Sequence, residues 1–484
     1  MQEGRLSMVR EKSTTHTGEE RSKVSLIVVL IVLLSGAFVA ILNQTLLGTA
    51  LPHIMRDLDL NASTAQWLQS IFMLVNGIMI PVTAFLIASF TTRGLFLSAM
   101  GSFAIGTAIC AVAPNFTILM IGRILQAAGA GIIMPLMQTI LFLVFPINKR
   151  GTAMGMFGLV IAFAPAIGPT LSGWIVEQFP WESLFYMILP IIIVDIIIAY
   201  FILKNVTEQT YPKLDVLSII LSSFGFGGLL YGFSTAGSSG WVSEQVFISM
   251  SIGAIALIWF IRRQLKLKEP ILEFRIFKYK MFTLTTALGM VVFIAMIGAA
   301  VVLPLLMQNM LGFTAFESGL ALLPGAAIMG LMNPVTGRLF DLYGAKWLSI
   351  IGLLILVITT FMFADLSEQT SFAYIATLNA FRMLSVAMVM MPVTTAGLNQ
   401  LPPDLIPHGT AMNNTMRQVA GAVGTALLVT VMTTGAIPDK GVEGMIHGVN
   451  VSFIVAGIIS LVGLGISFFI KNPEQSNVMR IDNG

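Results

Sequence analysis

The sequence predicts an all-α integral membrane protein of fourteen transmembrane helices. Three observations carry this: 56% of its 484 residues are hydrophobic, only 10% are charged, and the mean hydropathy is +0.90. A soluble domain carries about 25% charged residues because its surface faces water, and a chain this poor in charge cannot build such a surface. A bilayer core of roughly 30 Å takes about 20 apolar residues per helix, and apolar runs of that length recur along the whole chain.

Taken in order, residues 1–23 are polar and of mixed charge (Arg5, Arg10, Glu11, Lys12, Glu19, Glu20), which predicts a disordered tail. Hydrophobicity then begins near Lys23 and runs past the length of a secretory signal, so no removable leader is expected. Six apolar runs follow at 24–46, 65–87, 95–114, 116–145, 152–176 and 184–203, then two more at 214–235 and 245–263. The basic stretch from Arg262 to Lys280 predicts a linker helix on the lipid surface, where anionic headgroups attract each Lys or Arg by about 1 kcal/mol. Six final runs lie at 281–310, 317–340, 347–365, 372–398, 410–435 and 448–470, and 471–484 form a second tail.

An even number of spans puts both termini on one side. With that side cytoplasmic, its segments hold 21 of the 26 Lys and Arg, and the external loops hold only Arg56 and Lys440. This asymmetry is the positive-inside rule and places a multi-pass protein in the cell membrane with both termini cytoplasmic. Trp67, Trp174, Trp181, Trp241, Trp259 and Trp347 all fall at predicted helix ends or in adjacent loops, where amphipathic rings favour the interface.

The two ends of the chain repeat each other. Pro81-Val82-Thr83 recurs as Pro334-Val335-Thr336 and Arg93 recurs as Lys346, both 253 residues apart. Gly151-Thr152-Ala153-Met154 recurs as Gly409-Thr410-Ala411-Met412 at 258, and Arg123 recurs as Arg382 at 259. Four correspondences in one order at nearly constant spacing predict two six-helix bundles, 24–203 and 281–470, with 204–280 inserted between them as two helices and the basic linker. Parallel halves of this kind are a secondary-transporter plan with the substrate site near the midplane between them.

Ionisable residues inside a span are functional candidates by default, because a charge at the bilayer centre costs about 2.5–3.5 kcal/mol on insertion scales. Four qualify: Arg123, Asp195, Arg382 and Arg417. Each arginine can hold a polar network or an anionic coupling partner, or it can be a structural clamp on backbone carbonyls. Arg417 lies nearer a helix end and can also snorkel. Asp195 is the one carboxylate well inside a predicted span and can carry a proton or remain a neutral packing group. Asn43, Gln44, Gln126, Gln138, Gln308 and Asn309 can line a polar cavity or serve as helix–helix glue. Residues 151–173 carry Gly151, Gly155, Gly158, Pro165, Gly168, Pro169 and Gly173. The glycines allow close helix contact, and the prolines delete backbone hydrogen bonds and bend the helix.

Several stretches resemble motifs of the major facilitator superfamily. Gly337-Arg338-Leu339-Phe340-Asp341-Leu342-Tyr343-Gly344-Ala345-Lys346 is similar to its GxLxDxxGxK-type loop, and Ile121 to Gly131 to its fourth-helix motif with a buried Arg123. Ala164 to Gly173 resembles its fifth-helix antiporter motif. Leu323-Pro324-Gly325, together with Asn414, Arg417, Gln418 and Gly421, resembles the fourteen-helix drug:proton antiporters, and Leu42 to Leu46 with Ala50-Leu51-Pro52 resembles their lincomycin-resistance-type branch. The resemblance implies a major facilitator fold and export of hydrophobic or cationic drugs in exchange for protons. It implies a gating role for Gly337, Arg338, Asp341, Gly344 and Lys346, and a leak-sealing bend at Gly158, Pro165, Gly168, Pro169 and Gly173. A monomer is expected. Three departures stand out: Asn43 where many relatives have Asp, Ala84 and Ala88 in the first-half counterpart of the gating loop, and Glu182 in place of an Arg.

Other classes are excluded or weakened. There is no GxxxxGK[ST] phosphate loop and no interhelical segment long enough for a nucleotide domain. The net charge of +3 gives no argument for nucleic acid, and the single Cys110 excludes a disulfide framework. His16, His53, His408 and His447 read as tail or loop residues, no cluster has metal-ligand spacing, and no nucleophile constellation supports an enzyme. No cofactor beyond an ion gradient is expected. The rivals left open are an uptake symporter, a narrow-specificity exporter of a metabolite or lipid, and a non-transporting sensor or scaffold.

Overall fold

The computed structural model describes the backbone of residues 2–471 apart from Glu208, and side chains from Val28 onward apart from 62, 63, 208, 237–239 and 315. Among these residues it contains no strand and 14 helices long and apolar enough to cross a membrane. The first bundle comprises α1 (Gln2–Asp57), α2 (Ala62–Ser89), α3 (Thr92–Ala111), α4 (Phe116–Val144), α5 (Arg150–Gln178) and α6 (Ser183–Ile202). The inserted pair is α7 (Val216–Ser239) and α8 (Glu244–Lys266). The second bundle comprises α9 (Lys280–Asn309), α10 (Ala315–Tyr343), α11 (Ala345–Met362), α12 (Phe372–Leu398), α13 (Ile406–Thr434) and α14 (Gly441–Ser467).

Side-chain caps start many of these helices by satisfying N–H groups that have no intrahelical partner. Asn61, Thr91, Asn115 and Ser371 accept from the backbone three residues on, and Thr314 with Glu317 forms a reciprocal capping box. Helices therefore begin where a short polar residue precedes an apolar run.

The two bundles repeat in packing as well as in sequence. In the first, α1 packs on α4, α5 and α6, α2 on α4, and α3 on α4 and α6; in the second, α9 packs on α12, α13 and α14, α10 on α12, and α11 on α12 and α14. The bundles meet along two related seams, α5 with α10 and α2 with α13. The inserted α7–α8 hairpin lies at one of them only, with α7 against both α2 and α13. Trp67 of α2 stacks on Tyr231 of α7 at 5.8 Å, and Trp241 donates to the Thr430 hydroxyl of α13 at 2.7 Å. With 14 alternating spans both chain ends lie on one side, hereafter the terminal face; the other is the far face.

Several expectations need adjustment. The backbone of α1 is helical from Gln2, and the side chains of 1–23, expected as a disordered tail, lie outside the described residues, as do residues 472–484. The basic linker is not a helix: beyond α8 it folds back as a loop and a short 3-10 turn, Phe274–Lys278. Buried Gln264 causes the fold-back, accepting from the Ile271 N–H at 2.7 Å and donating to Ser218 at 2.6 Å. His53, His408 and His447 are helical rather than in loops, because α1 runs past its apolar stretch and α13 and α14 begin before theirs. Trp181 is 3% exposed and donates to Asp57 at 3.0 Å, so it is a packing residue and not part of an interfacial belt.

Candidate functional site

Arg123 sits fully buried on α4, where Gly122 and Gly129 let α3 approach closely. Its Nη1 donates to Asn43 Oδ1 of α1 at 2.8 Å and to Gln126 Oε1 at 2.9 Å, and its Nε donates to the Leu68 carbonyl of α2 at 3.2 Å. Gln126 passes the chain on to Thr107 of α3 at 2.9 Å, and the Phe72 ring lies 4.4 Å from the guanidinium carbon. One guanidinium thus ties four helices, with its charge met by amide and carbonyl dipoles and an aromatic face rather than a carboxylate.

The repeat is visible here. Arg382 on α12 is equally buried, reaches the Ala295 carbonyl of α9 and donates to Thr360 of α11 at 3.4 Å. Thr107 and Thr360 are 253 residues apart, the offset of the Pro-Val-Thr pair, a correspondence the sequence carries but which single threonines do not advertise. The Pro-Val-Thr threonines also match: Thr83 reaches the Gly131 carbonyl of α4 at 3.3 Å, and Thr336 reaches the Ala387 carbonyl of α12 at 2.9 Å.

A third polar group bridges the bundles. Asn414 of α13 donates to Gln138 of α4 at 2.7 Å, and Thr139 and Thr410 pair at 2.8 Å beside it. Arg417, one turn farther along α13, does not snorkel: it is 5% exposed and bonds Thr394 and the Met390 carbonyl of α12. Asp195 is separate from all of these. It is 4% exposed on α6 and accepts from Ser35 of α1, with Gly36 giving the carboxylate room, so it joins two helices within the first bundle.

The α5–α10 seam is built on glycine. A Cβ on Gly337 would meet the Gly151 carbonyl, and one on Gly155 or Gly158 would meet Asn333. At the terminal face Asp341 of α10 caps α5, accepting from the Gly151 N–H at 2.8 Å, the Thr152 N–H at 2.8 Å and the Thr152 hydroxyl at 2.6 Å. A carboxylate at a helix N-terminus meets unsatisfied N–H donors and the positive end of the dipole. Arg150 adds a second tie across the bundles to Asn399 at 2.9 Å. Gly151, Gly155, Gly158, Pro165 and Pro169 follow helical spacing down one face of α5, yet the terminal-face half is sealed on α10 while Pro165 and Pro169 are exposed. Close contact along this seam thus runs from the terminal face inward as far as Gly330 against Phe163, and Pro165 and Pro169 beyond it are exposed.

The remaining predicted residues are more peripheral. Gly168 packs on Thr45 of α1, and Gly173 has nothing within 4 Å of a Cβ. Gly344 has φ +77° and turns the chain from α10 into α11, a conformation that favours glycine. Arg338, Gln308 and Asn309 are exposed, Lys346 lies 6.0 Å from the Trp347 ring, and Gln44 is half-buried. Sequence reading missed Asn333, Thr394 and the Asp215–Arg263 ion pair. That pair, at 2.8 Å, joins the start of α7 to the end of α8, and the Arg263 guanidinium holds the Asp215 carboxyl below the usual carboxylate range.

Comparison with known proteins fits this geometry. Residues 33–425 match the model of the Major Facilitator Superfamily. The chain is 56% identical to YcnB, an uncharacterized MFS-type transporter of Bacillus subtilis (strain 168), over 95% of its own length and 98% of that protein's. It is 42% identical to the lincomycin resistance protein LmrB of Listeria monocytogenes, over 91% of its length and 96% of the relative's. Among solved structures, human MFSD10, described as an organic anion transporter, superposes with a TM-score of 0.67 at 14% identity, covering 91% of this chain and 99% of that one.

Proposed function

Because the chain belongs to the Major Facilitator Superfamily, we propose that this membrane transporter is a secondary active multidrug exporter working by drug:proton antiport and alternating access. The observation that carries the export reading is the whole-length similarity, at 42% identity, to a protein named for lincomycin resistance. The α5–α10 seam supplies the moving part. Asp341 and Arg150 latch the terminal face, and the exposed Pro165 and Pro169 farther along α5 support an opening at the far half of the seam. Releasing that latch and closing the far half exposes the midplane to the opposite side.

The terminal face is cytoplasmic on the positive-inside pattern, so cargo is taken up there and released at the far face. Asp195 is the candidate proton carrier. One oxygen is held by Ser35 and the other has no hydrogen-bond partner, so a proton can add without breaking the existing bond. One charge moving across 100 mV releases about 2.3 kcal/mol, which sustains roughly a 50-fold gradient. The cargo is hydrophobic small molecules, cationic ones among them, and a single chain contains both bundles.

The test is efflux of preloaded ethidium and of lincomycin from pump-deficient bacteria expressing the protein, with and without a protonophore. Accelerated efflux abolished by the protonophore is expected. Efflux equal to empty vector for a broad panel, with the protein present in the membrane, would sink the multidrug reading and favour an exporter of one metabolite or lipid.

A further inference from the structure

We propose that Arg417, with Gln138, forms a binding site for the anionic head of an amphipathic cargo, between α4 of one bundle and α12 and α13 of the other. The proposal rests on the export reading and adds to its cargo an anionic amphiphile, which this site takes in preference to a cation.

The placement is that of a substrate site. Arg417 lies eleven residues into α13, roughly 17 Å from its terminal-face end at 1.5 Å per residue, which puts it near the midplane. Asn414, three residues earlier and so on the same side of the helix, bonds Gln138 across the junction between bundles. Midplane sites at the interface of repeats are where transporters of this plan bind cargo.

The chemistry is unbalanced in one direction. Arg417 is 5% exposed and spends one nitrogen on Thr394 and the Met390 carbonyl, but its Nε has no partner. Gln138 is fully buried with its Nε2 unpartnered, while the free Asn413 oxygen is an acceptor and does not serve an anion. Two free donor groups and a guanidinium charge face no counter-charge. None of α2, α4, α9, α12 or α13 contains an aspartate or glutamate. The ion pairs among the described residues, Asp215–Arg263 and Glu273–Arg275, both lie in the inserted segment.

A buried, uncompensated guanidinium is costly, and a carboxylate, sulfonate or phosphate ester would offset its charge while accepting from the free N–H groups. A cation would find repulsion and no acceptor of full charge. The apolar part of the cargo would rest on flexible Met390 and Met416 and on Phe293, which packs on Gly421 one turn beyond Arg417. The same head-group chemistry could come from a bilayer phospholipid; the carried amphiphile is the occupant proposed here.

The test uses purified full-length protein in phosphatidylcholine liposomes and two permanently charged probes of equal chain length, a pyrene-labelled alkyl sulfonate and a pyrene-labelled alkyl trimethylammonium. Gradient-driven movement of the sulfonate is expected to exceed that of the ammonium at least tenfold. Arg417→Gln is expected to lower sulfonate transport at least tenfold and leave the ammonium within twofold, with Arg417→Lys restoring most of the loss. Equal or faster ammonium transport, or equal losses for both probes in a variant with unchanged Tm, overturns the proposal.

If neither probe moves, the ethidium and lincomycin efflux assay decides the export reading, and the site is tested by binding, read as tryptophan-to-pyrene energy transfer in detergent. Sulfonate binding lost in Arg417→Gln still supports the site, and its absence overturns it. Added phosphatidylglycerol separates the sources. Sulfonate binding that persists supports a carried amphiphile, whereas an Arg417-dependent Tm shift with phosphatidylglycerol and none with the sulfonate assigns the site to phospholipid and overturns the proposal.

Discussion

Asp341 and Thr152 belong to different bundles, yet one carboxylate oxygen of Asp341 takes both the backbone N–H and the hydroxyl of Thr152, at 2.8 and 2.6 Å. Its other oxygen holds the neighbouring Gly151 N–H at 2.8 Å. The start of α5, in one bundle, is thus capped by α10 of the other.

Asp341→Asn keeps an acceptor but loses the charge at the helix terminus, an effect of about 1 kcal/mol, or about fivefold in the closed-to-open ratio. Asp341→Ala removes the cap as well and is expected to shift the ratio by about 30-fold, from about 2 kcal/mol. Spin labels on exposed Lys149 and Leu342, which flank this seam, would read it as a longer distance component. Unchanged distance distributions in both variants would mean the cap does not hold the seam.

The glycines of the fifth-helix motif and of the gating loop are expected to behave differently. Gly337→Ala places a Cβ on the Gly151 carbonyl, backbone that cannot move aside, whereas Gly173→Ala meets nothing within 4 Å. The first is expected to cut transport at least tenfold, the cost of overpacking being about 1–3 kcal/mol. The second should stay within twofold in the same efflux assay.

Arg123→Gln strands Asn43, Gln126 and the Leu68 carbonyl at a fully buried position. Hydrogen bonds to a charged group contribute about 1.5–3 kcal/mol each, so a loss of at least about 3 kcal/mol is expected, read as a lower Tm in detergent. Asn43→Asp runs the other way: it puts a carboxylate where Arg123 Nη1 already donates at 2.8 Å, and should raise the Tm.

Asp195→Asn preserves an acceptor for Ser35 but cannot gain or lose a proton. If Asp195 is the carrier, pH-driven exchange falls at least tenfold while folding and drug binding persist. Full exchange in this variant would leave Asp195 as a clamp between α1 and α6.

The Asp215–Arg263 pair has a defined pH signature. The Asp215 carboxyl is held below its usual range by Arg263, so its stabilisation is present above the unfolded-state value of about 3.9 and is lost as pH falls through the folded value. The Tm difference between the parent and Asp215→Asn should be constant between about pH 8 and pH 5 and shrink below about pH 4. A difference that varies around neutrality would point to another group.

The fold was legible because each span is a long apolar run, and the repeat because Gly151-Thr152 and Gly409-Thr410 sit at fixed offsets. Helix ends were not legible where polar residues continue a helix beyond its apolar run, as at Ala50 to Asp57 and at His408. Arg123, Arg382 and Arg417 announce themselves by the cost of burying charge. Of their partners only Asn43 and Gln126 stand out, since Thr360, Thr394 and three backbone carbonyls look like ordinary helix composition. The sequence also could not reveal that Asp341 reaches a helix end 190 residues away, which depends on two glycine faces meeting.

The α7–α8 hairpin makes the two seams mechanically unequal. Asp341 has no mate across the repeat, where Ala88 occupies the matching place 253 residues earlier, and on that side α7 is fastened to both α2 and α13 instead. A pair of identical bundles could rock about a central axis like a seesaw. Here one edge is bound like the spine of a book, so in the proposed mechanism the opposite edge, α5 against α10, travels farthest and is where the pages part.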